Sequence, residues 1–355
     1  MNSKQKLAWE QELWDEFAAE GYAGGDRYPV VGIVGMIRSG KEEFRDMSVT
    51  EQEAYIQELA SVNTDWIDLL FRTAVSTNHY LSFSGGSEKN TYYVSFGYSK
   101  DNGAVKKTDY DRYNLSGKID ANPNKHLHFQ LGFDMAMQNS TGPSTDPFSY
   151  AYFANPYERP FNEDGSYRAD YTYYKLPKVN GSYDPTIPPN GFNMLREMNE
   201  TESKTDNFSI TSRFNLDYSF FKQLKFSGLA SYSFTNNKSD NYKGKDTYAA
   251  FVDRLYFDTQ GNSSRTYSSI SQSNTNNSSY SLRGQLSYSD VYREIHRFSV
   301  LAGAEIRGEK AEGIFEKRYG YDPVTGNSAM PVPKDPGNGE GFKYSDLVSY
   351  ANAMD

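Results

Sequence analysis

The sequence contains no cysteine among its 355 residues, which excludes disulfide frameworks, thiol catalysis and cysteine-ligated metal sites. Long apolar runs are missing too. The mean hydropathy is −0.77, and the longest apolar stretch, residues 30–37, is interrupted by Gly32 and Gly35. No segment reaches the roughly 18 consecutive apolar residues that a membrane-spanning helix requires. By composition alone, the chain resembles an acidic soluble protein.

An excess of positive charge is also absent, since 37 Lys and Arg face 46 Asp and Glu, a net charge of −9. Nucleic-acid binding needs a basic surface for phosphate contacts, so a nucleic-acid partner is not expected. The negative charge is concentrated in residues 1–76, which hold 14 acidic and 7 basic side chains. Aromatic residues are abundant instead, at 15% of the chain, with 30 Tyr and 22 Phe.

Residues 1–76 are predicted to be helical. Within 4–19, the residues Trp9, Leu13, Trp14 and Phe17 recur at near-helical spacing. Thr50 followed by Glu53 has the spacing of a capping box and predicts a second helix over 51–60. A third, short helix is expected after residues 63–66. The pattern is equally typical of ordinary surface helices and of a specialised loop.

From residue 77 onward the hydrophobic period changes to two. Apolar and polar residues alternate in eight segments, at 81–84, 92–99, 113–120, 127–135, 208–217, 224–234, 280–288 and 297–307. Such alternation predicts antiparallel strands with one apolar and one polar face. We expect strands of about 9–11 residues, the length that crosses a bilayer at a tilt.

The connections between these segments alternate in length. Those at 85–90, 121–125, 221–223 and 290–294 are short. The intervening ones are longer, at 100–112, 138–206, 235–277 and everything after 308. Transmembrane β-barrels have short periplasmic turns and long extracellular loops, so the pattern favours such a barrel. Tyr and Phe at the ends of strands, as at Tyr92 and Tyr98, are typical of the aromatic girdles at the two membrane interfaces.

Two other classes of protein stay open at this point. The apolar faces could pack against each other in a soluble β-sandwich, and the chain would then be a carbohydrate-binding or adhesin module. A β-sandwich glycosidase is a third reading. The alternation of short and long connections has no explanation in either.

Several motifs stand in a distinctive order and spacing. They lie at 63–68 (NTDWID), 77–86 (TNHYLSFSGG), 91–98 (TYYVSFGY), 102–106 (NGAVK), 110–115 (YDRYNL), 127–133, 153–160 (FANPYERP) and 300–305 (VLAGAE). Their order and spacing resemble one known family, the SusC/RagA-like TonB-linked outer-membrane transporters. The resemblance covers essentially the whole chain and is most specific over 63–133.

The resemblance implies an outer-membrane importer of oligosaccharides or peptides in a Gram-negative bacterium. Members are 22-stranded barrels with an N-terminal plug, energised by TonB and paired with a SusD-like surface lipoprotein. The expected fold is therefore all-β, about eight strands of a larger transmembrane antiparallel β-barrel. A signal peptide, a TonB box, a plug and one strand would precede residue 1, and the rest of the barrel would follow residue 355. Residues 1–76 would form a helical extracellular loop, 77–308 eight strands with long loops at 138–206 and 235–277, and 309–355 a truncated loop.

No catalytic chemistry, cofactor or metal is expected, and outer-membrane lipid, TonB, a lipoprotein and a glycan or peptide cargo are the expected partners. Aromatic faces beside polar groups suit sugar rings or peptide side chains, so loop aromatics are the candidate substrate or partner contacts. They could equally pack the loop against itself. The candidates are Phe148, Tyr150, Tyr152, Phe153, Tyr157, Tyr173 and Tyr174.

Three further sequence patterns resemble a nucleotide-binding, a metal-binding and a glycosidase site. Residues 35–41 have phosphate-loop spacing, but Glu42 stands where a hydroxyl would ligate magnesium, so nucleotide binding is not expected. His126 and His128 are two residues apart and could share a metal ion, although lumen or turn positions are the simpler interpretation. Asp146 and Glu158 could form a carboxylate pair for glycoside hydrolysis only if the fold brought them together.

Overall fold

The computed structural model describes residues 1–19, 28–40, 44–170, 178–179, 182–183, 191–256 and 264–328. Its seven helices within these ranges are α1 Ser3–Ala19, α2 Tyr28–Arg38, α3 Val49–Ser61, α4 Trp66–Leu70, α5 Pro147–Phe153, α6 Met194–Glu200 and α7 Tyr248–Val252. Its strands are β1 Val75–Gly86, β2 Asn90–Asn102, β3 Asp109–Asn124, β4 Leu127–Gly142, β5 Lys178–Val179, β6 Ser182–Tyr183, β7 Thr201–Phe221, β8 Leu224–Lys243, β9 Leu255–Tyr256, β10 Ser264–Arg265, β11 Ser269–Tyr292 and β12 His296–Tyr319.

The eight long strands form one antiparallel sheet in the order β1-β2-β3-β4-β7-β8-β11-β12. Each strand pairs with its sequence neighbour, so the sheet is an up-and-down meander. β1 and β12 lie at its two ends and do not pair with each other in the described part of the chain. The short strands form two separate two-stranded ribbons, β5-β6 and β9-β10. The sheet is thus an unclosed wall of eight strands, and the predicted all-β barrel segment is confirmed.

Short turns all lie at one edge of this sheet, at 87–89, 125–126, 222–223 and 293–295. Local polar contacts set one of them, since the Asn124 side chain accepts hydrogen bonds from the amides of His126 and Leu127 at 2.9 and 3.0 Å. In the last turn, Arg293 and Glu294 adopt positive φ values of 52° and 62°. The alternation of short and longer connections is as predicted.

The strands are 12 to 24 residues long, so the predicted length of 9–11 residues was wrong. They continue past the apolar segments at the edge away from the turns. The connections there shrink to 103–108, 143–200 and 244–268, and β12 ends at residue 319 rather than 308. Most positions on both faces of these extensions are polar, as in the paired run of Asn, Ser and Thr on β8 and β11, although β12 carries Ile314 and Phe315. Hydrophobic alternation cannot detect a strand that is polar on both faces.

The helices of the N-terminal segment enclose a small core of their own. Buried side chains from α1, α2 and α3 pack together, among them Leu7, Ile33, Ile37 and Leu59. The helix predicted over 4–19 is confirmed as α1, but Trp9 on its expected apolar face is 42% exposed. The buried face instead carries Leu7 and a charged residue, Glu10.

Two helix starts show how side chains place these elements. α3 begins two residues earlier than predicted, because Ser48 and Glu51 form the capping box in place of the predicted Thr50 and Glu53. The short helix expected after residues 63–66 is α4, which begins at Trp66. Asp65 caps it by accepting the amide of Asp68 at 3.0 Å. Across the described residues, the helices are all too short or too polar to cross a membrane.

Candidate transport wall and loop cap

One face of the eight-stranded sheet is apolar, and it is exposed. Val300, Leu282 and Phe83 lie on this face with half or more of their side-chain surface open. No second layer of described residues covers them, whereas the two sheets of a sandwich bury such faces against each other. A large exposed apolar surface marks an interaction with protein or membrane. The soluble-sandwich interpretation therefore does not fit the fold.

The apolar rows cross the sheet obliquely. They run from Tyr92 to Tyr98 on β2 and from Phe298 to Ile306 on β12. Ser95 is the middle residue of the β2 run, and its register partners from strand to strand lead across the sheet to Glu309 of β12. Glu309 lies seven residues beyond Ala302, the middle residue of the β12 run. Over six strand-to-strand steps, at about 3.3 Å per residue and about 4.8 Å per strand, this offset corresponds to a tilt of about 40°. Strands of outer-membrane barrels tilt by about 35–45°.

Aromatic rings cover glycines of neighbouring strands on this face. A Cβ atom built on Gly117 would lie 2.4 Å from the ring of Phe133, its cross-strand partner. Gly308 lies in the same way beneath its partner Tyr280. Such pairs bring a large ring flat against the backbone, which supports strand pairing. A side chain at either glycine would displace the ring.

The opposite face is polar and contains a hollow of about 560 Å³. Its floor includes Gly97 and Gly132. The side chains around it are all polar, and three of them are charged. They are Tyr80, Tyr93, Ser95, Asn114, Ser116, Lys118, Gln130, Asp134, Arg213 and Asn215. We call it the glycine-floored hollow. In a closed barrel this face lines the lumen, since the apolar face must meet lipid.

A helical assembly lies at the edge of the sheet away from the turns, and we call it the loop cap. Its first cluster is built on α1, α2 and α3 and includes Tyr157 from the connection between β4 and β7. The Tyr157 hydroxyl donates to Glu10 Oε1 at 2.7 Å, and the amide of Val34 donates to Glu10 Oε2 at 3.3 Å. Gly32, at φ 67°, leaves the space that the carboxylate occupies. A buried polar contact thus fixes the N-terminal helices to a loop more than 100 residues away.

Burial raises the pKa of Glu10 to about 7, although Tyr157, the Val34 amide and Lys6 at 3.7 Å partly oppose this shift. Burial and the neighbouring carboxylates of Glu10 and Glu158 raise the pKa of Tyr157 well above its usual range. The carboxylate therefore takes up a proton near neutral pH, while the phenol stays protonated and continues to donate.

The second cluster of the loop cap joins α4, α5 and α6. Tyr150 packs edge-on against Trp66 with ring centroids 5.0 Å apart, and its hydroxyl donates to Asp170 at 2.7 Å. Buried Glu197 of α6 accepts the amides of Tyr248 and Ala249 at 2.6 and 3.1 Å, at the start of α7. These contacts tie the connection before β11 to the connection before β7.

The predicted loop aromatics divide into two groups. Tyr150 and Tyr157 are fully buried, Tyr150 against Trp66 of α4 and Tyr157 in the cluster of α1, α2 and α3. Phe148, Tyr152 and Phe153 are 61%, 83% and 65% exposed. The ring of Phe148 lies 4.8 Å from that of Phe71, and Tyr152 and Phe153 pack edge-on at 5.0 Å. Tyr173 and Tyr174 lie outside the described residues.

The three sequence patterns that resemble a phosphate loop, a histidine metal site and a carboxylate pair do not form such sites in the described residues. Residues 35–38 end helix α2, so they present backbone carbonyls where phosphate needs the amides of a helix start. His126 contacts the carbonyl of Ser219, while His128 lies between Asp120 and Asp217, so the two imidazoles have different partners. Asp146 caps α5, and within the described residues no three His, Asp or Glu side chains lie close enough together to hold a metal ion.

Sequence reasoning missed the charged residues of both loop-cap clusters. Glu10 lies in an ordinary acidic helix pattern, and Glu197 is one of many loop carboxylates. Only the fold shows that each is buried beside donors from distant segments. The hydrophobic run at 30–37 was a usable signal for the first cluster, because it forms the buried part of α2.

No family model matches the chain. The TonB-dependent receptor SusC of Bacteroides thetaiotaomicron is 49% identical over 59 residues, which are 17% of this chain and 6% of that protein. The TonB-dependent receptor P26 of Formosa agariphila is 25% identical over 292 residues, which are 77% of this chain and 27% of that protein. The chain thus spans about a quarter or less of these curated relatives.

Solved structures share the fold. The RagAB peptide importer in its closed-closed state matches with a TM-score of 0.58 and 18% identity, over 91% of this chain and 35% of that chain. A second structure, of the RagAB peptide transporter, matches with a TM-score of 0.59 and 16% identity, over 94% of this chain and 36% of that chain. In sequence, and in fold over about a third of their length, the chain resembles the SusC/RagA-like TonB-dependent receptors of the Gram-negative outer membrane.

Proposed function

We propose that this chain is part of the barrel of a TonB-dependent nutrient importer that takes up oligosaccharides or peptides. The oblique band of exposed apolar side chains carries the proposal, because its tilt of about 40° is the one that transmembrane strands adopt. The other edge of the sheet carries every longer connection, as the extracellular edge of such barrels does. Import would need no catalytic residue in this segment.

In this proposal the short turns face the periplasm and the loop cap faces the outside. Residues 1–76 are then an extracellular loop that packs on the connection between β4 and β7 through Glu10 and Tyr157. The polar extensions of the strands rise above the membrane, since their outward positions carry charge pairs such as Lys238 with Asp240 at 3.4 Å. Charged rows of this kind are compatible with water and not with hydrocarbon.

The proposed partners come from the relatives. RagAB is described as a peptide importer, and SusC is a TonB-dependent receptor. We propose that the protein works with a SusD-like surface lipoprotein and that TonB acts through a region outside this chain. Of the loop aromatics, the exposed rings of Phe148, Tyr152 and Phe153 are the ones available to cargo or lipoprotein.

Membrane insertion can be tested with two neighbouring residues of β11 that face opposite sides. Leu282 belongs to the apolar band, whereas the Ser281 hydroxyl donates to Glu305 at 3.0 Å on the polar face. We expect Leu282→Arg to lower the free energy of folding into lipid vesicles by about 2–4 kcal/mol, the cost of arginine near the bilayer midplane. Ser281→Arg gains a carboxylate neighbour and should change it by less than about 1 kcal/mol. Equal losses for the two variants would contradict the proposed orientation.

Transport needs the intact protein in its host. A strain that lacks the gene should lose growth on one glycan or on peptides while it still grows on free monosaccharides and amino acids. A surface lipoprotein should copurify with the protein from outer-membrane extracts. Recovery of the protein in the soluble fraction, or unchanged growth on every glycan and peptide source tested, would contradict the proposal.

A further inference from the structure

The glycine-floored hollow contains two cations on the same register row. Gly132 of β4 pairs with Lys118 on one side and with Arg213 on the other. The two cationic residues are therefore two strands apart, about 10 Å between Cα atoms. Because Gly132 has no side chain, a gap is left between them, and a Cβ built there would meet only a backbone oxygen at 3.7 Å.

Neither cation forms a direct ion pair in the described part of the chain, although the charge of Lys118 acts on Asp120 from a distance. Lys118 and Arg213 form no hydrogen bond there and have no carboxylate within 4.0 Å, although other lysines of the same sheet do. Lys225 lies 3.1 Å from Asp217, and Lys204 lies 3.6 Å from Asp206. These two lysines are thus paired with a carboxylate of the same or the neighbouring strand, whereas Lys118 and Arg213 are not.

The acidic groups near the hollow lie on other register rows and do not contact the two cations. Asp134 lies one row towards the long connections. Asp120, on the row towards the turns, accepts a hydrogen bond from Gln130 at 3.0 Å and lies 3.2 Å from His128. On the row of Gly132 itself, Lys118 and Arg213 therefore have no carboxylate at contact distance.

The rest of the lining is suited to hydroxyl groups. Tyr80 and Tyr93 are hydrogen-bonded to each other through their hydroxyls at one side of the hollow. Gln130 and Asn215 present amides at another side, 3.5 Å apart. Aromatic rings and amides are common partners of sugar rings and hydroxyls. Arginine and lysine together bind carboxylates, the first by a planar fork and the second as a point charge.

We propose that the glycine-floored hollow binds the carboxylate of an acidic sugar, with Lys118 and Arg213 on either side of it. The proposal names a substrate class for the proposed importer and rests on that function. A uronate fits because it joins one carboxylate to several hydroxyls, as the lining joins two cations to amides and phenols. A neutral glycan would leave both cations without a direct ion pair.

The test uses the chain in detergent micelles, with its β content verified by circular dichroism, and titration calorimetry with trigalacturonate. Its fully methyl-esterified form is the matched neutral probe. We expect the acid to bind at least about 10-fold more tightly than the ester at low ionic strength and to lose this advantage at high salt. Equal binding of acid and ester, or preference for triglutamate over trigalacturonate, would overturn the assignment.

Variants locate the site. Lys118→Gln and Arg213→Gln should each weaken acid binding by about 3-fold and together by about 10-fold. Asp134→Asn should tighten it by about 2-fold, because the opposing charge is gone. Lys204→Gln is the control, since Lys204 shares β7 with Arg213 but lies on the other face beside Asp206. An equal effect of Lys204→Gln would overturn the proposal.

A charge swap separates loss of the site from loss of the fold. The double variant Lys118→Glu and Arg213→Glu should bind the cationic glucosamine trimer in place of trigalacturonate. A variant with intact β content that binds neither probe would contradict the site. Binding is measured without transport. A negative binding result therefore contradicts the proposed site and not the proposed importer. Loss of import with binding retained contradicts the proposed importer and not the site.

Discussion

The buried carboxylate of Glu10 makes the stability of the loop cap depend on pH. Its pKa is raised from 4.5 to about 7, chiefly by burial. Between these two values the folded cap binds a proton that the unfolded segment has already lost, so stability falls as pH rises. The stabilisation is complete below pH 4.5 and is lost by about pH 7. The full difference is about 3 kcal/mol, at about 1.4 kcal/mol per pH unit.

Replacing Glu10 with glutamine separates the charge from the shape. At pH 8 the variant removes the cost of a buried charge, about 3 kcal/mol. It also places the side-chain NH2 of glutamine opposite a donor, either the Tyr157 hydroxyl or the Val34 amide, which costs about 1 kcal/mol. The cap should be about 2 kcal/mol more stable than the parent. At pH 4 the parent is already neutral, and the same substitution should destabilise the cap by about 1 kcal/mol.

Hydrogen exchange of the backbone amides of α2 measures the opening of the cap directly. The chain is held in micelles at pH 4, 6 and 8, and exchange rates are corrected for their intrinsic pH dependence. Glu12→Gln is the matched control, because Glu12 lies on the same helix with an exposed side chain. It should leave the opening free energy within about 0.5 kcal/mol of the parent.

The reasoning fails if Glu10→Gln changes the opening free energy by the same amount and sign at pH 4 and pH 8. It also fails if the parent shows no loss of protection between pH 5 and pH 7. Tyr157→Phe gives an independent check, because it removes the donor at 2.7 Å. The midpoint of the pH dependence should then move upward, since the ionised form loses a stabilising hydrogen bond.

Three further predictions concern caps and glycines. Ser48→Ala should destabilise α3 by about 1 kcal/mol and Thr50→Ala by less than about 0.5 kcal/mol, as measured by hydrogen exchange in α3. A larger effect of Thr50→Ala than of Ser48→Ala would support the capping box predicted from the sequence instead. Gly117→Ala should cost about 1–3 kcal/mol in urea unfolding from vesicles, and most of that loss should disappear when Phe133 is also alanine. Glu197→Ala should raise exchange of the amides at the start of α7 by at least about 10-fold, because two buried donors lose their acceptor; unchanged protection there would contradict the contact.

The parts of the fold that the sequence predicted are those with one apolar and one polar face. Alternation such as that from Tyr92 to Tyr98 identified each long strand, because lipid on one side and water on the other impose opposite requirements on successive residues. The strand extensions were missed where this contrast ends. The pairing of Asn274 and Asn276 with Asn236 comes from backbone register and amide contacts, which hydropathy does not report.

The exposure of the candidate loop aromatics could not be predicted from the sequence, for a related reason. Phe148, Tyr152 and Phe153 are exposed, whereas Tyr150 and Tyr157 are buried, yet all five lie in one aromatic loop segment. Their difference depends on which helices from residues 1–76 pack onto that loop. Burial of this kind is set by contacts between distant segments, and a local pattern cannot distinguish the two groups.

The sequence by itself determined that the chain is a wall of antiparallel strands with turns at one edge and loops at the other. It did so because a period of two and turn spacing are local properties. The tertiary structure decided how far the strands rise, which loop aromatics are free, and which charges are buried or unpaired. Glu10 beneath Tyr157, and Lys118 with Arg213 beside Gly132, exist as sites only because strand register and loop packing bring distant residues together. Low hydropathy and negative charge, which suggest a soluble protein when averaged over the chain, belong to a sheet whose apolar half faces one way.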